Sequence, residues 1–350
     1  MSFLRNSWYA AGFSAEVTRQ PMQRTLLDEP VVLYRTEAGA VVALGDRCPH
    51  RFAPLHRGQL FGDAIRCPYH GLRFGVDGSC VDNPIGTGVI PRAARVPSYP
   101  VQERNGIVWL WFGPDAAAPE RIVPFDLFDD REKFATIQGY VPIQAQYGLV
   151  SDNLLDLSHA EFLHPQLSSP GSNRRVQFSM AQEGEVVVAK NWRPGEPITE
   201  LFRFGMGADA PEQVDHRSIV RWYAPSTLSV EVGATAVGKA PEEGVTTITA
   251  HLITPETETT SHYFWKLARD FRLDDAPFAS KLYDLVQSAF LREDKPMIEA
   301  QQRYMKSQSL EESNPVLLSS DAATARARRI MNEKLKAQRA RDTASDDRRA

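Results

Sequence analysis

Two cysteine–histidine pairs lie in the first part of the chain, Cys48-Pro49-His50 and Cys67-Pro68-Tyr69-His70, with sixteen residues between them. Each pair delivers one thiolate and one imidazole from a short segment. Pro49, Pro68 and Gly71 suit the tight turns such segments need. Mixed pairs of this kind fit a Rieske [2Fe–2S] cluster, in which two cysteines hold one iron and two histidines hold the other. A structural zinc site is the rival reading. Zinc patterns usually pair Cys with Cys and His with His, whereas here each half mixes the two types. A chance arrangement is the third possibility. His56 reads as a polar loop residue or a group supporting the ligands, and the remaining cysteine, Cys80, as a small buried or half-buried side chain.

A second group lies in the run from Ser151 to Pro165. Asn153, Asp156 and His159 are three apart and would form one row on a helix. His159 and His164 are five apart, which on an ideal helix turns their rings about 140° away from each other. They can share a metal only if the helix ends or widens between them. Pro165 supplies a reason, because the residue before a proline avoids the helical region. A facial triad of a non-haem Fe(II) oxygenase needs two histidines and one carboxylate. Asp294 is the candidate. Phe278, Leu282, Val286, Phe290, Asp294 and Ile298 recur every four residues, so Asp294 falls in an apolar stripe where an unpaired carboxylate is costly. Pro296 should kink that helix beside it. Glu293 and Asp152 compete for the ligand role. A salt-bridged or peripheral Asp294 is the plainer alternative.

The elements that must position these groups fall into two blocks. Residues 1–118 read as β-rich, with short runs at Val31–Tyr34, Val41–Leu44, Arg95–Pro97 and Ile107–Phe112, broken by Gly, Pro and Asp. Gly113–Pro119 reads as a linker. Residues 119–335 open with extended sequence, followed by a helical segment over Tyr147–Leu163. Strand-like runs come next at Glu185–Lys190, Ser218–Tyr223, Leu228–Val232 and Thr246–Ile253. A long helix near 277–306 closes the block. Strands followed by a closing helix suggest an α+β fold, an antiparallel sheet wrapped over a helix. Residues 336–350 are charged, with no apolar face, and read as a disordered tail.

Bulk properties set the limits. The chain has 350 residues, 42% hydrophobic and 24% charged, enough for two domains with a sizeable core. A net charge of -4 gives no reason to expect nucleic acid or an anionic membrane as partner. No apolar run approaches a membrane span. Three cysteines argue against a disulfide framework and for a reducing, cytoplasmic setting.

The motifs together resemble the oxygenase components of Rieske non-haem iron oxygenases, especially the vanillate O-demethylase type. The resemblance covers about residues 3–335. Its marks are Arg5-Asn6-x-Trp8-Tyr9, Cys48-Pro49-His50-Arg51 with Ala53-Pro54-Leu55, and Cys67-Pro68-Tyr69-His70-Gly71-Leu72. Further marks are Asp152-Asn153-Leu154-Leu155-Asp156-Leu157-x-His159 with His164, Leu252-Ile253-Thr254-Pro255-Glu256-Thr257-Glu258-Thr259, and Glu293-Asp294-Lys295.

The resemblance implies an N-terminal Rieske domain and a C-terminal helix-grip catalytic domain. Cys48, His50, Cys67 and His70 would hold the cluster; His159, His164 and Asp294 would hold a mononuclear Fe(II). It implies head-to-tail homotrimers in which Asp156 bridges His70 of one subunit to His159 of the next. The Asp156 carboxylate would also orient the His159 ring. A separate NADH- or NADPH-dependent reductase would supply electrons. With O2, an aromatic acid would be mono-oxygenated; an aryl methyl ether would give a phenol and formaldehyde. His251 and Asn153 are candidate substrate contacts. Hydroxylation or cis-dihydroxylation of another aromatic substrate is the alternative, and a non-enzymatic electron carrier is a third class.

Overall fold

The structure, a computed structural model, describes residues 3–305, 310 and 312–346. The chain divides into two compact units, Arg5–Ile122 with Thr254–Glu258, and Val123–Ile253 with Thr259 onward and residues 3 and 4.

The first unit is built from ten short strands in three small sheets: β1 (Ser7–Phe13), β2 (Met22–Leu26), β3 (Glu29–Arg35), β4 (Val41–Gly45), β5 (Gln59–Phe61), β6 (Ala64–Arg66), β7 (Arg73–Phe74), β8 (Cys80–Asp82), β9 (Val101–Arg104) and β10 (Ile107–Phe112). The sheets run β1-β10-β9, β2-β3-β4 and β5-β6-β7-β8. Val32, Tyr34, Leu44, Ile65 and Phe74 form a core that also takes in Cys48 and Cys67. Arg95–Pro97, expected as a strand, makes only isolated bridges at its ends, Ser79 with Arg95 and Leu44 with Ser98; Pro97 has no N–H to give a ladder. The expected linker is pinned rather than loose. Asn6 and Asp115 exchange hydrogen bonds of 2.7 and 3.0 Å, and Trp8 Nε1 donates to Ala118 O at 2.8 Å. The unit therefore runs past residue 118 to Ile122. Thr254–Glu258 counts with it: Thr254 Oγ1 donates to Ala10 O, and Leu27 N donates to Pro255 O.

The second unit is one seven-stranded sheet in the order β11-β17-β16-β15-β14-β13-β12. Its strands are β11 (Ala135–Ile143), β12 (Gln177–Glu183), β13 (Val186–Pro197), β14 (Gln213–Tyr223), β15 (Thr227–Ala236), β16 (Val245–Pro255) and β17 (Ser261–Arg269). The pairs β11–β17, β12–β13, β13–β14, β14–β15 and β15–β16 are antiparallel. One face of this sheet packs on a long helical rod made of α5 (Ala276–Ser288), a π-helical segment (Ala289–Asp294) and α6 (Lys295–Met305). Phe278, Leu282, Val286 and Ile298 from the rod join Val141, Val220, Trp222 and Trp265 from the sheet in one core.

Three expectations change. The predicted helix over Tyr147–Leu163 is three pieces: α1 (Tyr147–Leu155), a 3-10 turn (Leu157–His159) and α2 (Ala160–Leu163). Asp156 sits between them at φ -110°, ψ 93°, so the row from Asn153 to His159 is broken. The cause is local: the Asp156 carboxylate accepts from Ser158 N at 2.9 Å, an N-cap that restarts the chain in a new direction. The rod from 276 to 305 does not close the fold; α7 (Ala322–Asp346) follows it. The disordered tail is likewise corrected, because α7 continues through residues 336–346. Ala323, Ala327, Ile330, Met331 and Gln338 form its buried stripe, and Gln338 Nε2 donates to Phe3 O. Among the described residues past Leu335 only Gln338 is buried, so a search for large apolar residues finds no face there. Residues 347–350 lie outside the described residues.

Candidate metal centres

The two cysteine–histidine turns of the first unit are built alike. Cys48 N donates to Ala53 O at 2.9 Å and Cys67 N to Leu72 O at 2.8 Å. In each turn the residue four after the cysteine donates back to its carbonyl, Phe52 to Cys48 at 2.9 Å and Gly71 to Cys67 at 3.2 Å. Those residues share the left-handed region, Phe52 at φ 59° and Gly71 at φ 81°. A Cβ at position 71 would meet Pro84 Cγ at 2.8 Å. Repetition of one turn brings the like ligands together. The cysteines are buried, and burial pushes the Cys48 thiol up to about 11, with Cys67 beside it. The His50 and His70 rings stand edge to face, with centroids 4.5 Å apart.

This layout decides between cluster and zinc. A single tetrahedral ion would draw all four donor atoms onto one point. Among the described residues, only His159, His164 and Asp294 converge in that way, with ligand atoms within 4.8 Å of one another. Cysteines paired inside and histidines paired outside match a two-iron cluster with sulfur ligands on one iron and nitrogen ligands on the other. His56 is not a ligand. Its Nδ1 lies 2.5 Å from Oδ2 of buried Asp46, whose Oδ1 accepts from His56 N. Cys80 donates to Asp82 O.

The second centre lies where α2 meets the rod. His164 ends α2 at φ -122°, ψ 69°, as the following Pro165 requires. That turn, with the earlier break at Asp156, brings the His159 and His164 rings to 5.2 Å between centroids. Asp294 closes the triad from the π segment. Sixteen residues of unbroken α-helix would leave Asp294 about 160° around the axis from Phe278. The π segment takes up one residue and returns it toward that face. Lys295 N bonds to Phe290 O, five residues back, and Pro296, with no N–H, follows at once.

Asp294 is 4% exposed and His164 6%. Nε2 of His164 lies 3.1 Å and Nε2 of His159 3.4 Å from Asp294 Oδ1. The far nitrogens have acceptors of their own: His159 Nδ1 sits 2.7 Å from Asp156 O, and His164 Nδ1 2.6 Å from Glu293 Oε2. Those contacts place the ring protons on Nδ1, so two Nε2 lone pairs and a carboxylate face one another. Such a set calls for a cation, and two imidazoles with one carboxylate suit Fe(II). Burial opposes charge on His164, but Asp294 and Glu293 outweigh it and raise its pKa.

The competing ligands are thereby placed. Glu293 orients His164 from behind, and Asp152 pairs with Arg328 at 2.5 Å. Asp156 holds His159 through its backbone carbonyl. Its carboxylate instead accepts from Ser158 N and from Ser320 Oγ at 3.1 Å. Asn153 donates to Asp294 Oδ1 at 3.1 Å.

A cavity of about 170 Å³ opens from the triad between the rod and the sheet. Leu157, Leu201, Val230, Val232, Leu267 and Phe290 give it apolar walls, and both Asn153 and His251 line it. His251 is pushed down to about 3 by burial and is therefore neutral. Its Nδ1 lies 2.6 Å from the Tyr263 hydroxyl, and its ring meets Phe290 edge to face. Arg193, His216, Ser218, Thr247 and Thr249 also line the cavity and were not singled out from the sequence. The signal was there: each holds a core-phase position in its strand, in step with Val187, Val214 and Val245.

Comparison with known proteins agrees with this construction. Residues 7–100 match the Rieske [2Fe-2S] domain, and residues 143–337 match the vanillate O-demethylase oxygenase C-terminal domain. The chain is 39% identical over 338 residues to the oxygenase component of chloroacetanilide N-alkylformylase from Rhizorhabdus wittichii, covering 96% of this chain and 97% of that one. It is 36% identical over 331 residues to the oxygenase component of dicamba O-demethylase from Stenotrophomonas maltophilia, covering 94% and 97%. The crystal structure of dicamba monooxygenase bound to 3,6-dichlorosalicylic acid superposes with a TM-score of 0.91 at 34% identity, over 97% of this chain and 100% of that one. No helix among the described residues is long and apolar enough to cross a membrane. The chain belongs to the Rieske non-haem iron oxygenases, as an oxygenase component whose C-terminal part is of the vanillate O-demethylase type.

Proposed function

We propose that this oxygenase component removes the methyl group of a methoxybenzoate-like aromatic acid, releasing formaldehyde. The observation that carries the reading is the triad of His159, His164 and Asp294 opening onto an apolar cavity large enough for one ring; a cavity of roughly 150 Å³ accepts benzene. The names of the relatives agree, since one is a dicamba O-demethylase and another a chloroacetanilide N-alkylformylase, named for groups on oxygen and on nitrogen.

Cys48, His50, Cys67 and His70 would hold a cluster that supplies single electrons, and His159, His164 and Asp294 an iron that would supply O2 activation. The side chains do the rest. Asn153 and Glu293 hold Asp294 and His164 in place on one side of the metal position. The leucine and valine walls keep bulk water from the reacting methyl. His251, neutral and backed by Tyr263, can offer its Nε2 hydrogen to an acceptor on the substrate. The overall balance is ArOCH3 + O2 + 2 electrons + 2 protons giving ArOH, HCHO and H2O. A separate NAD(P)H-dependent reductase supplies the electrons, in keeping with relatives that are named as components of larger systems. Asp156 would carry them from His70 of an adjacent subunit in a homotrimer.

A screen of methoxylated and chlorinated benzoates with reductase and NADH tests this reading. The expected result is NADH use matched by formaldehyde, with a phenol that keeps the original ether oxygen when labelled O2 is supplied. A ring product carrying two labelled oxygens would instead establish cis-dihydroxylation.

A further inference from the structure

Arg193 is the one cavity-lining side chain whose charge the triad does not explain. It is 6% exposed, and its Nε is buried without a hydrogen-bond partner. Among the described residues no carboxylate comes within 4 Å of its guanidinium. The two acids that act on it from farther away, Glu196 and Glu161, are committed elsewhere. Glu196 accepts from Arg175 Nε at 3.0 Å, and Glu161 from Gly171 N and Asn173 N at 2.5 and 2.8 Å. A buried arginine with no direct ion pair is costly unless something arrives to pair with it.

The sheet aims it. Arg193 sits opposite His216 in the β13–β14 register, just before a bulge at Pro194–Gly195. The bulge is pinned: Gly195, at φ 62°, donates its N–H to buried Asp215 at 3.0 Å, and Asp215 also accepts from Gly238 N. Bulges of this kind re-aim a neighbouring side chain. Arg193 Nη1 lies 3.5 Å from His216 Nδ1, and the edge of Phe202 meets the His216 ring. Burial and the flanking Arg193 and Arg217 push His216 down to about 3. It is therefore a neutral neighbour, with a lone pair turned to Arg193, and no counter-ion. The Asp294 charge acts on His251 and Tyr263, whereas His216 feels the arginines. Asp294 and Arg193 both line the cavity, and Val230, Val232 and Leu267 are among its apolar walls.

We propose that Arg193, supported by His216, anchors the oxyanion of the substrate, so that the molecule bound is an aromatic carboxylate or sulfonate with its methyl-bearing end toward His159, His164 and Asp294. Arginine's planar fork suits two-point pairing with such a group, and Arg193 lines the cavity. The substrate class so named deepens the demethylase reading and rests on it.

The test uses the full chain with cluster and iron loaded, near neutral pH. Calorimetric titration compares the three methoxybenzoate isomers, the matching methoxybenzenesulfonates and the neutral methoxybenzamides. In the unaltered protein the best anion should bind at least about 10-fold tighter than its amide, as expected for hydrogen bonds to a charged group. Arg193→Gln should weaken the anion about 10- to 100-fold and leave the amide within about 2-fold. Arg193→Lys, which keeps the charge but loses the fork, should fall between. Equal binding of anion and amide to the unaltered protein overturns the proposal. So does a parallel loss of both in Arg193→Gln. If Arg193→Gln does not fold or load its cluster, the lysine variant decides: an unchanged anion-to-amide ratio overturns the anchor. Preference between carboxylate and sulfonate identifies the group taken. An anion held through Arg193 but yielding no formaldehyde keeps the anchor and removes the demethylase reading. Formaldehyde from acid and amide alike, unaffected in Arg193→Gln, does the reverse.

Discussion

At the residue scale the two histidines of the triad are held by different means, and the difference is testable. His159 Nδ1 meets a backbone carbonyl, which no substitution at Asp156 removes. His164 Nδ1 meets the carboxylate of Glu293, which a substitution can change. A carboxylate behind a ligating imidazole fixes its tautomer and raises its basicity, and loss of such a partner typically costs about 10- to 100-fold in metal affinity or activity. Glu293→Gln keeps an acceptor but loses the charge. It should therefore lower iron retention about 10-fold against a chelator, while the visible absorbance of the cluster is unchanged. Iron retention equal to the unaltered protein would show that the Glu293 charge contributes nothing to the site. The sequence places Glu293 beside Asp294; the period-four stripe favours Asp294 as the inward one, and the structure agrees. Arg193 was harder to find, because the strand-like run read from the sequence stops at Lys190, whereas β13 continues through a bulge to Pro197.

At the element scale, what the sequence revealed and what it concealed follow from how each element is stabilised. Strands with large β-branched residues, such as Ile107–Phe112, were legible to the residue. The β17 strand was not, because it is buried along its whole length and mixes Lys266 and Arg269 with Tyr263 and Trp265, so it has no alternation to read. The four-residue stripe of the rod was legible, but the π segment that keeps it in phase was not. The break at Asp156 was missed for a related reason: a capping aspartate inside an apparently helical run looks like a surface residue of that helix. This break carries a prediction. Asp156→Asn keeps an acceptor for Ser158 N, so both metal centres should load and thermal stability should stay near that of the unaltered protein. Asp156→Ala loses the cap, at a cost of about 1 kcal/mol. If the Asp156 carboxylate also carries electrons to His159, Asp156→Asn slows re-oxidation of the reduced cluster in a single turnover with substrate and O2. A rate unchanged in Asp156→Asn removes the bridge and leaves the carboxylate a purely structural cap, serving Ser158 and Ser320.

At the scale of the whole molecule, the two compact units would hold one metal centre each, and the proposed reaction needs both. On the proposed homotrimer, the partner of each iron would be the cluster of a neighbouring chain, within a head-to-tail ring. Such rings use two different surfaces at every contact, so two chains with different defects can complement each other. Co-expression of Cys67→Ser, which loses a cluster ligand, with His159→Ala, which loses an iron ligand, distinguishes the possibilities. Each variant alone should be inactive. If electrons pass within a chain, every mixed assembly is also inactive, since no chain has both centres. If they pass between chains, an intact iron works whenever its upstream neighbour has an intact cluster. In an equal mixture half of the chains keep the iron site and half of those have such a neighbour, so activity should recover to about one quarter of the unaltered level in a ring of this symmetry. Recovery requires assembly, so the same sample sized by light scattering should contain mixed trimers. Mixed trimers with no recovered activity would place electron transfer inside one chain and remove Asp156 as the link between subunits.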